Sequence, residues 1–185
     1  MWGVPVPPES HPMKMRGWKV SRNDLTKVTA SQNGYLLIKN SYIEHYRSES
    51  AIFEDKKKVR EVMEKLDDFV IFLAHTRAAS QGEKNMFNVQ PFAFSTKRGF
   101  IFWTMHNGDL NKNQLVRMGE LNPVDVEGAS DSYVMGVYLC RFLEGIEKEH
   151  LLNRFKEIKA TAKSLMNTVT LLMSKASLNF YSWRY

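Results

Sequence analysis

Two short apolar runs constrain this chain more than anything else in it. Phe69-Val70-Ile71-Phe72-Leu73-Ala74 and Gly99-Phe100-Ile101-Phe102-Trp103-Thr104-Met105 are too short for buried helices and rich in β-branched and aromatic residues. Each predicts a strand covered on both faces. Each also ends abruptly in polar residues, His75-Thr76-Arg77 after the first and His106-Asn107-Gly108 after the second. Polar tips that follow apolar strands gather at one sheet edge, where binding sites form.

The flanking segments supply the rest of an α+β fold. Gly17 to Val20 and Tyr35 to Lys39 are β-prone, separated by a polar stretch closing on the turn signal Asn33-Gly34. Residues 55–66 carry Val59, Val62, Met63 and Leu66 at helical spacing. Residues 78–90 read as a polar loop. Ser130 or Asp131 is placed to cap a helix with Val134, Val137, Tyr138, Cys140 and Leu143 on its apolar side, ending near Gly145. A further helix is expected over 147–165, burying Leu151, Leu152, Phe155, Ile158 and Leu165. Residues 168–173 and 178–183 then alternate as a strand pair around Ser174 to Ser177. The order is strands, helix, strand pair, two helices, strand pair, which suits helices bracketing stacked antiparallel sheets. At 185 residues, with neither repeats nor an internal linker, the chain is expected to be a single domain over 1–185.

Charge and cysteine content narrow the function classes. The net charge of +6 is scattered, and its densest run, Lys56-Lys57-Lys58 with Arg60, is interleaved with Glu61, Glu64, Asp67 and Asp68. That is a solvated helix face rather than a phosphate-binding stripe, so no nucleic-acid partner is expected. Cys140 is the single cysteine, which excludes an internal disulfide framework and a cysteine-based metal cluster. No metal or cofactor is expected. No apolar run reaches the ~20 residues that span a bilayer, and prolines at 5, 7, 8 and 12 would interrupt a secretion signal. The expectation is a soluble, cytoplasmic protein without a membrane partner.

The polar tips carry the chemistry. Arg77 offers a planar, permanent cation suited to bidentate capture of a carboxylate. Asn107 offers a side-chain N–H, and Gly108 lets a backbone N–H approach a ligand closely. Together they suit an oxyanion developing at an amide carbonyl. Asp131 can accept from an ammonium group, and Ser80 adds a hydroxyl. Such a set would recognise an α-amino acid with a reacting side-chain carbonyl, and glutamine fits. Each residue also has a plainer role: Arg77 in a structural ion pair, Asn107-Gly108 as a hairpin turn, Asp131 as a helix cap, His75 and His106 in packing.

His75-Thr76-Arg77-Ala78-Ala79-Ser80-Gln81-Gly82, Asn88 to Phe92, His106 to Leu110 and Ser130-Asp131-Ser132 occur in the order and approximate spacing of class II glutamine amidotransferases. The resemblance covers residues 69–145. Gly17-Trp18 faintly resembles a strand of stand-alone members, although Lys19 replaces the usual glycine. The resemblance implies a four-layer αββα sandwich of the N-terminal-nucleophile hydrolase type. It implies that Arg77 binds the glutamine carboxylate with help from Ser80, that Asn107 and Gly108 form the oxyanion hole, and that Asp131 holds the α-amino group. Tyr133 stands where a glutamate is common.

The same resemblance exposes a gap. Family members attack with the thiol of an N-terminal cysteine, using its own α-amino group (pKa about 8) as the base. Met1-Trp2-Gly3-Val4 resembles the family's Met-Cys-Gly-Ile opening, with Trp2 in the nucleophile's place. Cys140 lies in an apolar helix stripe, and Ser10 or Ser21 would become terminal only after a cleavage that nothing signals. Two explanations stand. Either the chain keeps a glutamine pocket without hydrolysis, or the true start, with its cysteine, lies upstream. The short distance from Met1 to Gly17-Trp18 favours the second, and the strand-like run from Phe180 to Tyr185 suggests clipping at the other end as well. As written, little or no glutaminase activity is expected. The opposing function is a non-catalytic amino-acid-binding or regulatory subunit that docks on an ammonia-using synthase; a decayed fragment is the third.

Overall fold

The computed structural model describes residues 32–39, 42–66, 70–77, 82–174 and 178–184. Trp2, Ser80 and the β-prone run 17–20 lie outside these residues. Two antiparallel sheets and four helices make up the described part.

The first sheet has the order β2-β1-β3, from β1 (Gln32–Lys39), β2 (Tyr42–Ser48) and β3 (Val70–Arg77). The second has the order β4-β5-β6-β7, from β4 (Phe92–Ser95), β5 (Ile101–Asn107), β6 (Asn167–Met173) and β7 (Leu178–Arg184). Side chains alternate across a strand, so each sheet buries two different sets. Leu36 of β1, Trp103 of β5 and Leu171 of β6 share one cluster with Leu73 of β3, which joins the two sheets. The opposite face of the first sheet offers Tyr35 and Leu37 to Val62 of α1 (Lys56–Lys65). Phe102 and Leu172, on the other face of the second sheet, pack with α2 (Lys112–Met118), α3 (Asp131–Phe142) and α4 (Lys148–Lys159) through Leu115, Leu139 and Phe155. Each such fully buried side chain contributes roughly 1.5–3 kcal/mol of hydrophobic stabilisation.

Polar anchors complete the helices. Asn111 caps α2 by accepting from the Gln114 N–H at 3.2 Å. On α1, Lys58 and Lys65 reach Glu44 of β2 at 3.1 and 2.6 Å, which ties the helix to the first sheet.

Several expectations are corrected. The described part of the first run, Val70 to Ala74, is not covered on both faces: Phe72 is 38% exposed, and among the described strands β3 stands at the edge of its sheet. Asn33-Gly34 is not a turn but part of β1. A Cβ on Gly34 would stand 2.2 Å from the Gln90 carbonyl oxygen, so only glycine lets the strand pass there. The expected helix over 147–165 stops at Lys159, and Leu165, assigned to its buried stripe, is 69% exposed. Thr161 ends it by donating its hydroxyl to the Ile158 carbonyl at 2.8 Å. Asn107-Gly108 does not turn a hairpin, because β5 runs on into α2. No helix among the described residues is long and apolar enough to cross a membrane.

Candidate active site

Arg77 closes β3 directly opposite Gln32, the first residue of β1. Its guanidinium is buried, donates to the Gln32 side-chain oxygen, and reaches the Glu83 carbonyl at 3.4 Å. Gln32 in turn donates to the Asn85 carbonyl at 2.9 Å. Burial lowers the Arg77 pKa below its ordinary value, and the nearby Asp131 carboxylate opposes that shift. The side chain nevertheless stays cationic, since arginine starts above 12.

Asn88 brings the start of α3 to the same place. Its amide nitrogen donates to the Glu83 carbonyl at 2.9 Å and the Gly128 carbonyl at 2.8 Å, while its oxygen accepts from the Ser130 N–H at 2.6 Å. The Glu83 carbonyl is therefore shared between Arg77 and Asn88, so one loop positions both the end of β3 and the beginning of α3.

Ser130 is the N-cap of α3, its hydroxyl accepting from the Tyr133 N–H at 3.2 Å. Asp131 is instead the first helical residue and is 5% exposed. One carboxylate oxygen accepts from the Leu110 N–H at 2.8 Å, the other from the Ser132 N–H at 2.8 Å. A carboxylate has about four acceptor sites, so capacity for an ammonium group remains.

The tip of β5 is held by Gln90, whose side chain bonds to the His106 main chain as a neighbouring strand would. Gln90 accepts from the His106 N–H at 2.6 Å and donates to its carbonyl at 3.1 Å. Asn107 follows, exposed, and Gly108 has φ +146°, a conformation that favours glycine. A Cβ there would also stand 2.2 Å from the Leu165 carbonyl oxygen and 2.9 Å from His106 Nε2. His75 spans the gap between the sheets by hydrogen-bonding the His106 main chain, and burial pushes its pKa down to about 4. Burial also lowers the His106 pKa, against the pull of Asp131 and Asp109. Neither imidazole is suited to carry a second proton, and so a positive charge, at neutral pH.

Arg77, Asp131 and the His106-Asn107-Gly108 tip thus share one end of the two sheets. A model of the class II glutamine amidotransferases matches residues 53–181, well over half of the chain. The chain belongs to the class II glutamine amidotransferases. Among solved structures, one similar to it is glutamine phosphoribosylpyrophosphate amidotransferase from B. subtilis, complexed with ADP and GMP. The identity is 18% and the TM-score 0.54 over 83% of this chain. Another, described as the allosteric regulatory enzyme of purine biosynthesis, has 18% identity and a TM-score of 0.52 over 78% of this chain. The chain spans only 31% and 29% of those proteins, so the likeness is one of fold. No curated protein sequence matches it.

Within this amidotransferase frame, the sequence motifs named Arg77, Asn107, Gly108 and Asp131 but missed the residues that hold them. Gln32, Asn88 and Gln90 are buried amides that bond main-chain groups, and Gln32 also accepts from the Arg77 guanidinium. Asn88 and Gln90 do fall inside the Asn88 to Phe92 motif, which was the available signal. Tyr133, where the family commonly has a glutamate, packs edge-on to Phe92 with ring centroids 5.5 Å apart. Cys140 lies on α3, and burial raises its thiol pKa, the opposite of what a nucleophile needs.

Proposed function

We propose that this amidotransferase domain binds glutamine between Arg77 and Asp131 and, with Trp2 in the nucleophile's place, does not hydrolyse it. The guanidinium takes the α-carboxylate, and the Asp131 carboxylate takes the α-ammonium. The Asn107 side chain and the Gly108 N–H face the side-chain amide oxygen, with the Ser80 hydroxyl assisting at the carboxylate. The fold in this reading is the four-layer αββα sandwich, a view supported by the cluster shared between the sheets and by helices on both outer faces. The protein in this reading is cytoplasmic, and its partner is an ammonia-using synthase.

The observation that carries this reading is the Glu83 carbonyl shared by Arg77 and Asn88. It ties the buried cation to the start of α3, where the buried Asp131 carboxylate stands. A cation and an anion fixed at one sheet end suit the two charges of an amino acid, whose capture is worth far more in a desolvated site than in water. Oxyanion donors accelerate attack only where charge develops on the carbonyl oxygen. Without a thiol no such charge develops, and the donors contribute ground-state binding alone.

Trp2 favours this non-hydrolysing domain, which suits a glutamine-responsive regulatory subunit, over a working glutaminase. Assaying the full chain for ammonia and glutamate separates the two. The expected outcome is no release above the uncatalysed background at saturating glutamine. Sustained release that Asn107→Ala abolishes would overturn the claim of inactivity.

A further inference from the structure

His106 is 3% exposed, and its two ring nitrogens differ sharply. Nδ1 lies 2.8 Å from the Ser132 hydroxyl, whereas Nε2 is buried with no hydrogen-bond partner among the described residues. Ser132 is 5% exposed and donates its hydroxyl to the Asp131 carboxylate at 3.4 Å. A hydroxyl has one proton to give. If it goes to Asp131, the oxygen must accept from the imidazole, and the proton of the neutral ring is then on Nδ1. Nε2 is left as a bare lone pair beside Gly108, 2.9 Å from where a Cβ on that residue would stand.

From this geometry we infer that Ser132 and His106 are positioning residues that join Asp131 to the Asn107-Gly108 tip. The inference rests on the glutamine-binding reading above and adds a specificity mechanism to it. Asp131 takes the α-ammonium, and through Ser132 it fixes the tautomer and plane of His106. The imidazole packs against Gly108 and thereby aims its N–H at the side-chain amide oxygen. Gln90 secures the same tip from the other side through the His106 main chain. Ser132 and His106 thus set discrimination for a side-chain amide and touch neither charged end of the ligand.

The test uses the full chain, labelled with 15N, as wild type, Ser132→Ala, Ser132→Thr and Ser130→Ala. The last variant removes the α3 cap without touching His106, so it controls for general loosening of the helix start. In the wild type, His106 is expected as the Nδ1–H tautomer. Ser132→Ala should mix the tautomers and displace the Gly108 amide resonance, Ser132→Thr should restore both, and Ser130→Ala should change neither. In titrations with L-glutamine and L-norvaline, which lacks the side-chain amide, Ser132→Ala should cut the preference for glutamine roughly 3- to 10-fold, the worth of one hydrogen bond. Norvaline affinity should hold. An Nε2–H tautomer in the wild type overturns the inference, as does a Gly108 displacement of equal size in Ser130→Ala. If wild type binds neither amino acid, the glutamine-binding reading fails, while the spectra alone still decide the Ser132–His106 link.

Discussion

The two outer faces of the molecule are built differently. Behind the second sheet, α2, α3 and α4 bury a broad cluster that includes Leu139, Leu143, Phe155 and Ile158. Over the first sheet, α1 contributes Val62 to a small cluster with Tyr35 and Leu37, while Met63 is 63% exposed and Val59 38%. Lys58 and Lys65 add ion pairs to Glu44 there. The proposed site draws on both sides: Asp131 and the Gly108 tip belong to the heavily packed half, and Arg77 belongs to the lightly packed one. The buried amide of Asn88 links them, bonding the Glu83 carbonyl that Arg77 also reaches and the Ser130 N–H at the start of α3.

Phe155→Ala should be the most damaging of the core tests, costing about 3–5 kcal/mol by denaturant titration. Val62→Ala should cost only about 1–2 kcal/mol for its smaller loss of buried surface. Equal losses would break the contrast between the halves. Gln90→Leu removes the acceptor of the buried His106 N–H, and should cost about 1–3 kcal/mol in the same measurement.

The pH dependence sharpens the comparison further. His75, between the sheets, has its pKa lowered to about 4 by burial. The unfolded chain takes up a proton near its ordinary value of 6.5, where the folded chain does not. Stability should therefore fall as pH drops from about 6.5 to 4, by up to about 1.4 kcal/mol per unit, and His75→Gln should flatten that slope. Glu44, beneath α1, also has its pKa lowered, but because its charged form gains partners. The Lys65 bond and the Tyr35 hydroxyl lower its pKa to about 2. Its stabilisation is present above about 4.5 and is lost as pH falls toward 2, a small effect for a group near solvent. Smallest of all, Met63→Ser on the exposed side of α1 should stay within about 0.5 kcal/mol of wild type.

How much of this was legible in the sequence follows from the kind of signal each element carries. β5 read clearly because Phe102 to Met105 is buried on both faces. β3 read as a strand, but its composition could not reveal that Phe72 stays exposed. β2 went unread: Tyr42 to Ser48 mixes charged and aromatic residues without a clean alternation. β4 is four residues long and α2 seven, too short for a period to emerge. At the site, Arg77, Asn107, Gly108 and Asp131 were visible because they sit in spaced motifs. Gln32 was not, because its partner Arg77 lies 45 residues away and is supplied only by strand pairing.

Isothermal titration of L-glutamine into the full chain at neutral pH tests the central claim most directly. The account predicts saturable binding that Arg77→Ala and Asp131→Asn each abolish, with both variants still folded by circular dichroism. Absence of binding to the folded wild type, or binding that survives both substitutions, would contradict it.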